Sequence, residues 1–328
     1  MSTLSSPLIL VTGGLGFVGI NLGKALAELP QAQVILADLA QPSEAMQQFL
    51  APAGARVSFA QLDVTDRESL RGLVTEAGVT HLVHAAAITA SPAQEAARPT
   101  LVVDVNLGGA VNALDVALTS PTVQRVVMVS SSGVYAPPQQ SGPVDEDHPL
   151  DRGNLYSVTK RNAELLAERY AAISGKPMIS VRLASVYGPM EQPKSSRTHV
   201  SLVQRLVDAT RADQPVRLYG PHVSRDWVHA GDVGRAIARL LTAPRLSHTV
   251  YNISSGLPTP FGELAEHFVP HGLCPLWVKK PQEAEIAQEG SHARAPLSIT
   301  RLLGDTGMTP ADFRPLDQGI REMFVTSL

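Results

Sequence analysis

Three residues in the middle of the chain have the chemistry to hold a hydroxyl oxygen and move its proton: Ser131, Tyr156 and Lys160. Tyr156 and Lys160 stand four residues apart in Tyr156-Ser157-Val158-Thr159-Lys160, a spacing that sets both side chains on one helical face. A free phenol has a pKa of about 10, so a tyrosine acting as base near neutral pH needs lowering by roughly three units, about 4 kcal/mol. A neighbouring ammonium supplies about 1–3 units, and any further positive charge beside the phenol adds to it. Ser131, inside Ser130-Ser131-Ser132, offers a hydroxyl donor to hold the substrate oxygen. The same residues also fit a surface helix face and a serine turn, and the elements before them separate the two readings.

From Pro7 to about Arg182 apolar runs alternate with amphipathic stretches, the pattern of a parallel sheet covered on both faces. Strands are predicted at Leu8–Val11, Gln33–Ala37, Arg56–Gln61, His81–His84, Arg125–Val129 and Met178–Val181. The first runs into Gly13, Gly14, Gly16 and Gly19, followed by Leu22, Ala25, Leu26 and Leu29 at helical spacing. That strand, turn and helix suit a dinucleotide: Gly13 permits the turn, Gly16 lets the pyrophosphate approach, and Gly19 lets helix and strand pack closely. The helix N-terminus then faces the anion. Asp38 closes the second strand 19 residues after Gly19, placed to accept from both adenine-ribose hydroxyls and to repel a 2′-phosphate. No arginine follows in Leu39-Ala40-Gln41, so NAD is expected rather than NADP.

Two further strand ends reach the same edge. Asp63 is read either as an acceptor for the adenine amino group, with Val64 along the ring, or as a helix cap. His84-Ala85-Ala86-Ala87 leaves room for a flat dinucleotide, and His84, with no second ligand at i+3 or i+4, is expected as a packed core histidine and not a metal ligand. Asn106, among apolar neighbours, either ties strands together or supports the tyrosine.

Composition bounds the rest. The chain has 328 residues, 44% of them hydrophobic and 17% charged, with a net charge of −3. Its lysines and arginines are scattered, so no nucleic-acid partner is expected. The single cysteine, Cys274, excludes an intramolecular disulfide and a thiolate metal cluster, and is expected to be a small buried hydrophobe. The N-terminus shows no basic region before an apolar core, and no apolar run of membrane length is read, so a cytoplasmic protein without membrane partners is expected.

The segments TGGLGFVG, LDV, HAAA, SSSGVY, YSVTK, RLASVYGP and RDWVHAGDV occur in this order, and with them the chain resembles the extended short-chain dehydrogenases/reductases, the NAD-dependent epimerase/dehydratase family. The resemblance implies a doubly wound parallel (Rossmann) sheet with a smaller C-terminal substrate-binding subdomain. It divides the chain into an NAD-binding part, 1–188 with returning segments near 214–253, and a cap of 189–213 and 254–328. Arg217–Tyr219 and Val250–Ile253 are the strands expected to return to the main sheet. The resemblance makes Tyr156 the general base or acid, Lys160 its partner that also holds the nicotinamide ribose, and Ser131 the catalytic hydroxyl. It puts Gly13, Gly16, Phe17, Val18, Asp38, Leu39, Asp63, Val64, Ala85, Ala86, Ala87, Asn106 and Leu183 against NAD. Thr89, Ser132, Ser185 and Arg225 fall on the substrate side.

The chain departs from the family at three places. Dehydratases carry an Asp-Glu pair where this chain has Ser132-Gly133, which argues against 4,6-dehydration. Ser185 stands where nucleotide-sugar enzymes usually carry Asn. An Arg-Pro-Gly-Asp segment is not recognisable in 281–295, where Arg294 is its only remnant. Arg225 fits a substrate phosphate, or else an ion pair with Asp226 or Asp232. Two enzymatic readings result: epimerisation of a sugar or nucleotide sugar, and net oxidation of a free sugar, sugar acid or polyol. A third, a redox-sensing NAD module, does not need the Ser-Tyr-Lys set. A homodimer through Val102–Leu118 and Tyr156–Ser174 is the family expectation, and the loop Ala136–Pro149 is read as closing over substrate or as a surface excursion.

Overall fold

Runs of Val, Ile and Leu with no polar alternation become strands buried on both faces. The computed structural model describes residues 6–137, 142–151, 153–194, 196, 200–290 and 294–325. Strands β1 (Leu8–Thr12), β2 (Gln33–Asp38), β3 (Val57–Gln61), β4 (His81–His84), β5 (Arg125–Ser131) and β6 (Met178–Leu183) form the main sheet with β10 (Val250–Ile253). The order is β10-β6-β5-β4-β1-β2-β3, and every pairing is parallel. The chain runs outward from β1 to β3 and then crosses to β4 on the other side of β1. This reversal opens a crevice at the carboxyl ends of β1 and β4, where such sheets bind ligands.

Helices α1 (Phe17–Leu26), α2 (Glu44–Leu50), α3 (Arg67–Ala77), α4 (Pro92–Ala97), α5 (Pro99–Val103), α6 (Gly109–Thr119), α7 (Leu155–Ser174), α8 (Leu202–Arg211) and α9 (Ala230–Thr242) cover the sheet and extend from it. Period-two alternation sorts the strand side chains into two cores: Ile9, Val11, Val83 and Val127 face one layer with α1 and α9, while Leu10, Leu82, Val126 and Met128 face the other with α3, α6 and α7. A third core, including Tyr187, Val203, Leu206, Trp227 and Phe261, lies on the C-terminal side.

Three expectations need correction. Val250–Ile253 does join the main sheet, beside β6, but Arg217–Tyr219 does not. It lies in β8 (Pro215–Tyr219), paired with β12 (Cys274–Trp277) and β13 (Ile286–Ala287). Val216 and Leu218 are buried while Pro215 and Arg217 are exposed, so this strand has one apolar face only and does not suit a sheet covered on both sides. Cys274 is exposed, because it starts a strand of a small, partly solvated sheet. Finally, Pro99–Thr119 is continuous over 21 residues and apolar enough, at a mean hydropathy of 1.5, to match a membrane span in length and composition. It carries Asp104, Asn106, Asn112 and Asp115 and lies against α3 and α7, as a covering helix does. The remaining small sheet pairs β7 (Ser185–Tyr187) with β9 (Ser224–His229) and β9 with β11 (Pro258–Pro260).

Candidate active site

The glycine loop after β1 leaves no space for side chains. Gly13 has a φ of +68°, and a Cβ there would lie 2.6 Å from the Ala86 backbone; a Cβ at Gly19 would lie 2.2 Å from the Gly13 carbonyl oxygen. Gly16 is the N-cap of α1 and offers no side-chain cap, so the helix end presents backbone to the crevice. Asp38 Oδ2 accepts from the Leu15 N–H at 3.0 Å, which ties the loop to the end of β2. This cradle fits a dinucleotide pyrophosphate: its walls are backbone, and its charge is that of an uncapped ten-residue helix.

Helix α7 is anchored directly to the strand that carries Ser131. Asn154 caps it by accepting from the Ser157 N–H at 3.0 Å, Ser157 Oγ donates to the Gly133 carbonyl at 2.9 Å, and the Gly133 N–H donates to Ser131 Oγ at 3.1 Å. Because Ser131 Oγ accepts there, its hydroxyl proton remains for a substrate oxygen. Lys160 is buried, its Nζ 2.7 Å from the Val129 carbonyl and 5.9 Å from the centroid of the Tyr156 ring. Burial lowers the lysine's pKa to about 8, while the Glu164 carboxylate opposes that shift.

Asn106 sits in a π-helical turn, Asp104–Gly108, joining α5 to α6. Its Oδ1 accepts from the Ile88 N–H at 2.7 Å, and its Nδ2 donates to the Ile88 carbonyl at 3.0 Å and to Thr159 Oγ1 at 3.4 Å. It thus ties the chain after β4 to the helix of Tyr156 and Lys160. His84 is buried and packed, with Nδ1 2.8 Å from Thr12 Oγ1, and burial holds its pKa down to about 3. Among the described residues no cluster of metal-ligating side chains occurs.

One cavity of about 580 Å³ brings most of the expected residues together. Gly13, Gly16, Phe17, Val18, Ala85, Ala87, Thr89, Ser131, Tyr156, Lys160, Leu183, Ser185 and Arg225 all line it. Asp38, Leu39, Asp63, Val64, Ala86, Asn106 and Ser132 are not among its lining residues. Asp63 Oδ1 accepts from the Thr65 N–H at 2.9 Å and its hydroxyl at 2.7 Å, while Asp66 is the residue that caps α3. Val64 is buried and Leu39 is 61% exposed.

Sequence reasoning missed several cavity residues, notably Lys194, Arg205, Trp227 and Gln288. Lys194 Nζ donates to the Leu15 carbonyl at 2.5 Å, and Arg205 Nη2 to the Glu285 carbonyl at 2.7 Å. Neither belongs to a local motif, so no sequence signal marks them. With Lys160 and Arg225 they give the cavity four cationic side chains, and no Asp or Glu lines it among the described residues. Arg225 pairs with neither nearby acid: Asp226 accepts from Ser254, Ser255 and the Leu297 N–H, and Asp232 from Arg235 and the Arg314 N–H. Its Nε has no partner, and burial, with the nearby charge of Arg294, lowers its pKa to about 10. A desolvated guanidinium of this kind is stabilised by an anion. The segment 281–295 lies partly outside the described residues, as does the loop Ala136–Pro149.

The family model described as the NAD dependent epimerase/dehydratase family matches residues 9–254. A dTDP-glucose 4,6-dehydratase of Actinoplanes sp. is 32% identical over 309 residues, covering 92% of each chain. A UDP-glucuronate 4-epimerase of Thermodesulfobacterium geofontis is 27% identical over 253 residues, covering 75% of each. The solved structure of a Thermus thermophilus UDP-glucose 4-epimerase in complex with NAD matches with a TM-score of 0.79 at 25% identity, covering 98% of this chain and 100% of that one.

Proposed function

Since the chain belongs to the NAD-dependent epimerase/dehydratase family, we propose that it inverts a hydroxyl-bearing carbon of an anionic sugar substrate, in the manner of a nucleotide-sugar epimerase. The observation that carries this reading is the cavity itself, where Ser131, Tyr156 and Lys160 share walls with Arg225, Arg205 and Lys194 and with no carboxylate among the described residues. Elimination of water needs an acid and a base beyond the tyrosine, and Ser132-Gly133 offers neither. The cationic end suits a diphosphate, with Arg225 as its principal anchor.

Bound NAD supplies the hydride acceptor and donor. Tyr156 takes the proton of the reacting hydroxyl and later returns it, Ser131 donates to the same oxygen, and Lys160 keeps a positive charge beside the phenolate. Gly13, Gly16 and the first turn of α1 hold the pyrophosphate, and Asp38 the adenine ribose. The NAD-binding part is assigned to 1–188 with β10, and the substrate side to 189–213 and 254–328 together with β8. A second reading, net oxidation of a sugar acid, uses the same three residues and is favoured by Ser185, which lacks the reach and the amide of Asn. A cytoplasmic homodimer completes the proposal. Leu101, Leu165 and Ile173 are 38%, 54% and 57% exposed on α5 and α7, and the one thiol, Cys274, is free and exposed as suits a reducing compartment.

The test is to incubate NAD-loaded protein with UDP-glucose, UDP-glucuronate, dTDP-glucose and the matching free sugars and sugar acids, resolving products while following reduced nicotinamide. Epimer formation without net reduction is expected. Stoichiometric reduced nicotinamide from a free sugar acid sinks the epimerase reading in favour of the dehydrogenase.

A further inference from the structure

Behind the Ser-Tyr-Lys set lies a buried ion pair that the proposed chemistry has not used. Glu164 follows Lys160 by four residues on α7, and both side chains are buried. Its carboxylate accepts from Arg182 Nε at 3.1 Å to each oxygen, from Arg182 Nη2 at 2.7 Å, and from Ser130 Oγ, the neighbour of Ser131 on β5. Glu164, Lys160, Ser130, His84 and Asn106 line one small cavity of about 10 Å³, the size of a single water.

The charged and polar groups around Lys160 come from every neighbouring element. His84 on β4 is held neutral by burial, and its Nε2 has no protein partner. Asn106 on the π turn and the Val129 carbonyl on β5 are neutral, Arg182 on β6 lies beyond Glu164, and Tyr156 lies one turn earlier on α7. Glu164 is therefore the one carboxylate of the small cavity that faces the ammonium. Arg182, in turn, pairs with that carboxylate in its buried setting.

We propose that Glu164 is a positioning residue for proton transfer: its carboxylate, fixed by Arg182 and Ser130, faces the Lys160 ammonium across the small cavity and favours its charged form, and through it keeps the Tyr156 phenol ready to ionise. The inference rests on Tyr156 being the base. Loss of the carboxylate leaves a buried lysine that gives up its proton more readily, so the phenolate loses its nearest stabilising charge and Tyr156 ionises at higher pH.

The experiment is a pH titration of Tyr156 by phenolate absorbance in the NAD-loaded protein, taken as the difference from Tyr156→Phe in each background, alongside the pH profile of kcat and KM. Glu164→Gln is expected to raise the Tyr156 midpoint by about one unit and to lower kcat about tenfold near neutral pH, with KM changed less than about twofold. Because Glu164→Gln strands a buried guanidinium, Glu164→Gln/Arg182→Met is the second variant; it removes both charges and is expected to show the same raised midpoint. A midpoint in the double variant equal to that of the wild type overturns the inference and leaves Glu164 a purely structural partner. Wild-type turnover by Tyr156→Phe overturns instead the reading of the base, whatever Glu164 does.

Discussion

Lys160 Nζ donates to the Val129 carbonyl oxygen at 2.7 Å, so the lysine of α7 is tied to the strand that ends at Ser131. Helix and strand are thereby held as one unit, and the three proposed catalytic groups do not depend on a mobile loop for their spacing. Tyr156→Phe is expected to lower kcat by about 10³-fold while NAD binding stays within a few-fold, because acid–base groups typically contribute about 10²–10⁴-fold. Lys160→Met should lose a similar amount. Calorimetric NAD affinity beside steady-state kinetics separates the outcomes, and undiminished turnover in Tyr156→Phe removes it from the mechanism.

Arg225 is the desolvated cation of the proposed substrate end, and its Nε has no partner. Arg225→Ala should raise KM for the anionic substrate about 30-fold or more, equivalent to about 2 kcal/mol, with a smaller change in kcat. Kinetics at two ionic strengths check this. A KM that does not move shows that the anion binds elsewhere.

The glycine loop admits a paired test. A Cβ at Gly19 meets the Gly13 carbonyl oxygen at 2.2 Å, whereas one at Gly72 in α3 has only Glu76 Oε1, at 3.9 Å. Gly19→Ala should abolish NAD binding, whereas Gly72→Ala should bind NAD normally and be more stable by about 1 kcal/mol. Fluorescence titration with NAD and thermal melts distinguish the two.

Two buried imidazoles set an acid response. Burial lowers the pKa of His84 and of His229 to about 3, so between pH 6.5 and 3 the unfolded chain binds protons that the folded chain refuses. Stability from each is full above about pH 6.5 and falls as the pH drops, by up to about 1.4 kcal/mol per unit. Wild type should therefore lose its stability advantage over His84→Asn between about pH 7 and pH 5. An advantage that is constant across that range would falsify this assignment.

Exposed Leu165 and Ile173 lie on α7, the helix that also carries Tyr156. Leu165→Glu/Ile173→Glu should convert the proposed dimer to a monomer of unchanged far-UV circular dichroism, measured by sedimentation. A wild-type chain that sediments as a monomer rejects the dimer outright.

The sequence by itself determined what depends on local spacing. Glycines after a strand, an acid closing the next strand, and a tyrosine and a lysine four apart specify backbone and helix-face geometry within a few residues, so the parallel sheet and NAD were legible, and so was the meeting of Ser131, Tyr156 and Lys160 on one cavity. Tertiary structure decided what depends on contacts between distant segments. Lys194 and Arg205 enter the cavity from segments without a motif, and Arg225 is left without a carboxylate because Asp226 and Asp232 bond elsewhere. β8 leaves the main sheet because only one of its faces is apolar, and Cys274 is exposed because its strand borders solvent. Even Glu164, four residues from Lys160 in the chain, acquires its proposed part only when β5 and β6 bring Ser130 and Arg182 against it. Such contacts follow from how the elements pack, which no short window of sequence specifies.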